Sequence, residues 1–304
     1  YYKNERTHEL DEEFGDIQGI VADLEASMVR NLTEKILILG KPLRKIGKGL
    51  YKLDALLSLA TTAINNSFAA PSLVSESKII IKDGRHPLQE LCCEDYIPND
   101  THMDMKNGVV HVITGPNASG KSVYLKTVGI ITYLAHVGSF VPANSATIGI
   151  VDKIFTRIDT SSSSMSNLST FTRDASEASH MLNKCTERSL LLIDEFGKGT
   201  HSIDGCSLLG SMISNLDKLS SNCPRSIITT HFHEIFVNDI ITESDVVKFH
   251  QMNVLHERNE AKHGQKEIIF LYKLVPGVCL HSQGIYCATQ LGLPKQVHTK
   301  LESS

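Results

Sequence analysis

Apolar positions in the first fifth of the chain recur at three- and four-residue steps. Leu10, Phe14, Ile17, Ile20, Val21, Leu24 and Met28 form one such series, with acidic residues between them. Leu50, Leu53, Leu56, Leu57 and Ala60 form another. Both are the signature of an amphipathic helix. Between them lies Gly40-Lys-Pro-Leu-Arg-Lys-Ile-Gly-Lys-Gly49, whose Gly and Pro punctuation reads as a connection. Residues 10–66 are therefore expected to fold as an antiparallel helical arm. The basic residues Lys41, Arg44, Lys45, Lys48 and Lys52 could touch DNA, but a solvated helix face is the simpler reading.

From Pro71 the periodicity changes. Strand-like runs at 78–82, 109–114, 151–158, 189–194, 226–230 and 268–274 alternate with helix-like runs at 121–137, 171–186, 203–219 and 283–291. Such alternation predicts an α/β domain on a mainly parallel sheet. Asp83-Gly84 is a turn signal, Ser161 to Ser164 a serine-rich loop, and Glu257 to Gln265 an exposed hairpin loop.

The run Val109-Val-His-Val-Ile-Thr114 is followed by Gly115-Pro116-Asn117-Ala118-Ser119-Gly120-Lys121-Ser122 and then by a helical pattern. The letters fit the P-loop G-x-x-x-x-G-K-[S/T], and the strand–turn–helix context is the one it requires. Gly115 and Gly120 allow the backbone to fold closely around an anion. The helix N-terminus adds N–H donors and positive potential. Lys121 is then expected to reach the β- and γ-phosphates of ATP, and the Ser122 hydroxyl to hold Mg²⁺.

About 70 residues downstream, Ser189-Leu-Leu-Leu-Ile-Asp-Glu195 is a buried-strand pattern ending in two carboxylates, the Walker B form. Asp194 is the expected Mg²⁺ ligand, and Glu195 the group that orients the attacking water. Gly197-Lys-Gly199-Thr200 follows, a turn suited to close approach. Ser226-Ile-Ile-Thr-Thr-His231 is a further apolar strand, and His231 at its end is placed to sense a γ-phosphate. His231-Phe-His233-Glu234 lacks the H-E-x-x-H spacing, which excludes a zinc protease.

Composition narrows the classes. The 304 residues are 41% apolar, enough for one large or two modest domains. A net charge of −4 predicts no general affinity for nucleic acid or membranes, so any DNA contact must be local. The seven cysteines (92, 93, 185, 206, 223, 279, 287) show no Cys-x-x-Cys pair and fit reduced thiols of a nuclear or cytosolic protein. There is no 18-residue apolar run and no signal peptide. The chain begins without Met, inside helix-like sequence, and is expected to be a segment of a longer one.

Taken together, these stretches resemble the MutS family. The resemblance rests on Gly84-Arg-His-Pro87, the P-loop, Val137-Gly-Ser-Phe-Val-Pro-Ala143, Ile154-Phe-Thr-Arg-Ile158, Leu168-Ser-Thr-Phe171, Asp194-Glu-Phe-Gly-Lys-Gly-Thr200 with Asp204-Gly205, and Thr230-His231. It runs from about residue 8 to the end. Ser119 before Gly120 and Phe196 after Glu195 look most like the meiotic branch that forms one half of the MutSγ heterodimer. Mismatch-repair members more often carry Gly at the first of these positions.

The resemblance implies an ABC-type P-loop ATPase domain at 71–304, preceded by an all-α lever segment at 1–70. It implies a sliding clamp, closed by ATP, on double-stranded DNA and Holliday-junction-type intermediates. The partner would be a paralogous MutS homologue, and the place the nucleus, on meiotic chromosomes. Asn117, Lys121 and Ser122 would hold phosphates and Mg²⁺, Asp194 and Glu195 would serve metal and water, and His231 would sense the γ-phosphate. Ser169 would act in trans on the partner's nucleotide. Tyr96 sits where the family places an aromatic that stacks on adenine, with Tyr272 a second candidate for that pocket. The family's mismatch-reading domain, clamp tip and dimerisation tail are not in this chain, which alone is expected to hydrolyse ATP slowly and hold DNA poorly. Transporter engines and chromosome-structure ATPases carry a Ser-Gly-Gly-Gln-like signature where this chain reads Leu-Ser-Thr-Phe. A nucleotide-binding module without turnover is disfavoured by the intact Lys121, Ser122, Asp194 and Glu195.

Overall fold

The computed structural model describes residues 4–15, 17–158, 170–259 and 265–280. The chain divides into two units, 1–59 and 60–304.

The first unit is helical. Helix α1 spans Glu5–Phe14, α2 Ile17–Ile38, and α3 Gly40–Asn65, which runs on into the second unit. A capping box starts α1: the Thr7 N–H donates to Asn4 Oδ1 and the Asn4 N–H to Thr7 Oγ1, each at 2.8 Å. Gly15, with φ 66°, ends it. The expected antiparallel pair is not formed. Only Leu39 separates α2 from α3, and the Leu43 N–H donates to the Leu39 carbonyl across the junction. One residue cannot reverse a helix, since a helical hairpin needs a loop of roughly two to five. Residues 40–49, read above as a connection, are the first turns of α3. Pro42 is tolerated there because a first-turn N–H has no intrahelical partner to lose. The apolar series of α1, α2 and the first part of α3 lie exposed.

The second unit carries β1 (Ser72–Val74), β2 (Ile79–Gly84), β3 (Asn99–Met103), β4 (Val110–Thr114), α4 (Lys121–His136), β5 (Ser145–Gly149), β6 (Ile154–Arg157) and α5 (Thr170–Lys184). It continues with β7 (Leu190–Asp194), α6 (Ser202–Lys218), β8 (Arg225–Thr229), α7 (Glu234–Val237), β9 (Val247–Asn259) and β10 (Gln265–Pro276). Six strands form one sheet in the order β10-β9-β4-β8-β7-β6. All its pairs are parallel except β10 with β9. A smaller sheet of order β1-β5-β2-β3 is mostly antiparallel. The α/β class with a mainly parallel sheet is thus present.

Successive side chains of the large sheet's central strands enter two different cores. Ile113, Leu190, Leu192 and Ile227 pack with α4 and the smaller sheet, through Leu125, Val128, Ile131, Ile79 and Ile148. Val110, Val112, Leu191, Ile193 and Ile228 pack with α5 and α6, through Met181, Leu209, Ile213 and Leu216. With both faces covered, these strands are apolar on both sides at most positions, and β7 is an unbroken apolar run from Leu190 to Ile193.

Other expectations need correction. β1, β3, β5 and β9 carried no recognised signal, and the strand at 151–158 is shorter, at Ile154–Arg157. Asp83-Gly84 is not a turn but the end of β2, where the pairing slips between Ile81 and Gly84 and Asp83 takes φ 52°. The hairpin near 257–265 is present as β9–β10, though its strands extend to Asn259 and from Gln265. The serine run at 161–164 and the helix at 283–291 lie outside the described residues. Among the described residues no helix is long and apolar enough to cross a membrane.

Arg225 opens β8, fully buried. It donates to the carbonyls of Arg188 at 2.7 Å, Ile150 at 3.2 Å and Gly149 at 3.3 Å. It thereby joins the smaller sheet to the approach of β7, while burial pulls its guanidinium down to about 10. Arg225→Met would strand those carbonyls. We expect it to lower the unfolding free energy by about 3 kcal/mol in urea titration, with Arg225→Lys recovering part. An unchanged midpoint for Arg225→Met would exclude this role.

Candidate nucleotide site

Strand β4 is fully buried and delivers Gly115 at φ 150° to the P-loop. A Cβ on Gly115 would lie 3.0 Å from Met252 Cβ and 3.1 Å from Ser119 Oγ, so a larger residue there would crowd both as well as strain the backbone. Ala118 (φ 61°) and Gly120 (φ 97°) are left-handed, which folds the loop back over the start of α4. Gly120 is the N-cap of α4 and no side chain caps the helix there. The N–H groups of its first turn are thus the donors available to an anion. Within the loop, Ser119 Oγ donates to the Pro116 carbonyl at 2.8 Å. Asn117 and Ala118 are exposed and Ser122 is half-buried.

Lys121 is buried, and its Nζ donates to the carbonyls of Gly115 at 2.7 Å and Pro116 at 2.8 Å. Burial pulls its ammonium down to about 8, against the opposing pull of Glu195 and Asp194.

The carboxylates end β7. Asp194 is buried, and the Thr229 hydroxyl donates to its Oδ1 at 2.5 Å. Glu195 takes φ 51°, and its N–H donates to the Thr229 carbonyl at 3.1 Å and to Thr229 Oγ1 at 3.2 Å. Its side chain is held at both oxygens. His231 Nε2 lies 2.5 Å from Oε1, and Lys198 Nζ donates to Oε2 at 2.9 Å. His231 first, and then Lys198, hold the Glu195 carboxyl down at about 2 despite its partial burial.

A cavity of about 390 Å³ opens beside the loop. Asn117 to Tyr124 form its floor, and Glu195, Tyr96, Ile97, Asn99, Met252 and Tyr272 its walls. That volume is within the range of small-ligand sites, roughly 300–1,000 Å³. The Tyr96 hydroxyl accepts the His86 N–H at 3.1 Å and lies 3.4 Å from Thr127 Oγ1, which fixes its ring in the wall. Tyr272 sits at φ 52° where the β9–β10 register slips between Phe270 and Leu274. Asn99 secures that bulge: Nδ2 donates to the Tyr272 carbonyl at 2.9 Å and Oδ1 accepts the Leu274 N–H at 2.7 Å. A Cβ on Gly120 would come 3.3 Å from the Tyr272 ring, so the ring lies over the loop.

The residues singled out in the sequence therefore fall as follows. Those from Asn117 to Ser122, with Tyr96 and Glu195, line one cavity. Gly115 and Pro116 shape the loop behind it and accept the Lys121 ammonium. Asp194 and His231 adjoin the cavity through Thr229 and Glu195. Ser169 lies outside the described residues. Asn99, Met252 and Thr229 were not anticipated. Each sits in a strand and acts on a residue far away in sequence, so no local motif marks it. Lys198 lay in a turn noted only for its glycines.

The Ser122 hydroxyl and the Asp194 carboxylate are hard oxygen donors of the kind Mg²⁺ takes. Among the described residues no group of three or more His, Cys, Asp or Glu is placed to hold a metal.

Comparison with known proteins agrees with this geometry. The family description "MutS domain V" matches residues 111–303. The chain is 40% identical to "MutS protein homolog 5" of Saccharomyces cerevisiae, over 99% of its own length and 36% of that protein's. It is 36% identical to "DNA mismatch repair protein MutS" of Methanococcoides burtonii, over 91% of this chain and 30% of that protein. For the protein of the same name from Clostridioides difficile the figures are 38%, 84% and 26%. The chain thus spans about a third of the length of these relatives. A domain match over more than half of its residues places this chain in the MutS family.

Proposed function

We propose that this chain is the ATPase portion of a MutS-type subunit that binds ATP and Mg²⁺ and hydrolyses ATP at a composite site shared with a paralogous MutS homologue. The observation that carries the reading is that Lys121 and Glu195 line one cavity with an uncapped helix N-terminus at its floor. On this reading residues 71–304 are an ABC-type domain and residues 1–70 a lever that transmits its state to DNA. Ser119, Phe196 and the likeness to yeast MutS protein homolog 5 support the meiotic branch. The partner is then the other half of a MutSγ-like heterodimer, the substrate double-stranded DNA in Holliday-junction-type intermediates, and the place the nucleus on meiotic chromosomes.

The chemistry follows from the contacts. The α4 N-terminus and Lys121 bind the phosphate oxygens, with Asn117 beside them. Tyr96 and Tyr272 are the aromatic faces available to a base. Ser122 and Asp194 would hold Mg²⁺, which neutralises charge on the β- and γ-phosphates. Water attacks the γ-phosphorus, the bond to the β–γ bridging oxygen breaks, and ADP leaves. Glu195 orients that water. While His231 and Lys198 hold it near 2 it is a poor base, so it gains basicity when they turn to the γ-phosphate. Ser169 would complete the partner's site.

A mismatch-repair role is the second reading, favoured by the similarity to two proteins named for that activity. Tighter binding to mismatched duplex than to a four-way junction would select it.

ATP turnover, measured with and without the partner's ATPase domain, tests the main reading. Mixing should raise turnover, and Glu195→Ala should lower kcat by about 10²–10⁴-fold while ATP still binds. Equal turnover with and without partner would indicate a self-contained enzyme. ATP binding with no turnover in any mixture would indicate a binding module.

Affinity should depend on pH through Lys121. Above about 8 its neutral amine predominates, and holding a triphosphate then requires proton uptake. ATP affinity should fall as pH rises past that point, by up to about tenfold per unit. Lys121→Arg keeps its charge and should bind more weakly with a flat profile between pH 7 and 9.5. The same fall in that variant would assign the effect elsewhere.

Tyr272→Ala should weaken ATP by about 1–3 kcal/mol if its ring stacks on the base. Comparing ATP with inorganic triphosphate checks this, because only the nucleotide should lose affinity.

A further inference from the structure

We infer that Arg157, backed by Asp174, is a positioning residue for the carboxylate pair: it fixes the peptide that carries Glu195 into the cavity. Arg157 ends β6 and pairs in register with Ile193 of β7, one residue before Asp194. Its side chain is 7% exposed and that of Asp174, on α5, is 3% exposed. The guanidinium divides its contacts. Nη2 forms an ion pair with Asp174, and Nη1 donates to the backbone carbonyl of Asp194 at 2.6 Å.

That carbonyl belongs to the peptide linking Asp194 to Glu195. The N–H of the same peptide donates to Thr229, to its carbonyl at 3.1 Å and to its Oγ1 at 3.2 Å. Both polar ends of one peptide are therefore held, one by a buried cation and the other by the neighbouring strand. The next rotation along the chain is φ of Glu195, which stands at 51°. A residue with a Cβ occupies that region only where its surroundings over-determine it. Arg157 and Thr229 supply that determination, and the Glu195 side chain is turned toward the cavity as a result.

Stability alone is a weak reason for such a pair. Two buried ions lose hydration that their attraction scarcely recovers, and well-packed apolar replacements are often as stable. What an apolar pair could not do is aim a two-pronged donor at one carbonyl while its other prong is fixed. Asp174 supplies the charge that lets Arg157 remain buried and the anchor that sets its direction.

The inference rests on the hydrolytic reading, and the test separates the two. In the full chain with its partner, Arg157→Lys keeps the charge facing Asp174 but loses the fork. It should lower kcat roughly 10- to 100-fold, as expected for a displaced reacting group, with KM for ATP within about twofold. In a Glu195→Gln background the same change should cause little further loss, because the group it positions is already disabled. Asp174→Asn should act in the same direction more weakly. Thermal melting accompanies every variant. If Arg157→Lys does not fold, the double change Arg157→Gln with Asp174→Asn removes both charges together and is read the same way. A proportional loss in the Glu195→Gln background, or a raised KM with kcat unchanged, would overturn the positioning role. Turnover insensitive to Glu195→Gln alone would overturn the hydrolytic reading, and the inference with it, before any Arg157 variant is made.

Discussion

The site depends on the register of three parallel strands. β8 lies between β4 and β7, and Thr229 is paired with Ile113 on one side and Asp194 on the other. The ends of the three strands therefore lie at one level, and the turns that leave them emerge at one edge, where open α/β sheets form their ligand crevices. Thr229 is the pivot. Its hydroxyl donates to Asp194 and accepts from the Glu195 N–H, and its carbonyl accepts from that N–H as well. A slip of one residue in either pairing would turn Thr229 to the opposite face and separate the phosphate loop from the carboxylates.

Legibility in the sequence followed the locality of the forces. β4, β7 and β8 were visible because burial on both faces makes them predominantly apolar, unbroken in β7 and interrupted by His111 in β4 and Arg225-Ser226 in β8. α4, α5 and α6 were visible through helical periodicity. The phosphate loop was legible because its glycines answer a local demand for left-handed backbone. β3 was not, since Asn99-Asp-Thr-His-Met103 alternates buried and exposed positions with polar residues inside. Asn99 is buried to secure a bulge in β10, a demand that arises 173 residues away. The helical segment failed in another way: its elements were found but their junction was misread. Gly40, Pro42, Gly47 and Gly49 look like a loop by composition, yet a helix start accommodates Pro and a long helix absorbs isolated glycines at roughly 1 kcal/mol each.

The carboxylate corner shows how strain is distributed. Three of the left-handed residues other than glycine, Ala118, Glu195 and Tyr272, border the same cavity. Each is held by something more regular than itself. Ala118 lies in a loop bounded by a buried strand and a helix, Glu195 follows a strand paired on both sides, and Tyr272 sits on a hairpin secured by Asn99. Conformations costing roughly 1–3 kcal/mol apiece persist where packed elements leave no alternative. The sheet and its helices thus serve the site by holding loops in shapes those loops would not choose.

On the proposed reading, the same contacts bear on how a triphosphate is distinguished from a diphosphate. Lys121 donates to two carbonyls of its own loop, and Glu195 has one oxygen against His231 and the other on Lys198. A ligand must displace these contacts rather than simply add to them, which lowers net affinity and makes what the ligand offers in return decisive. A diphosphate can satisfy the α4 N-terminus and draw Lys121 off its loop, but it presents no third phosphate to His231. Glu195 then keeps its contacts with His231 and Lys198 and remains a poor base. A triphosphate can draw on His231 as well, which loosens the carboxylate as the bond to be broken comes within reach. Discrimination and activation would thus be one exchange of partners, set by which internal ion pairs the ligand is long enough to replace.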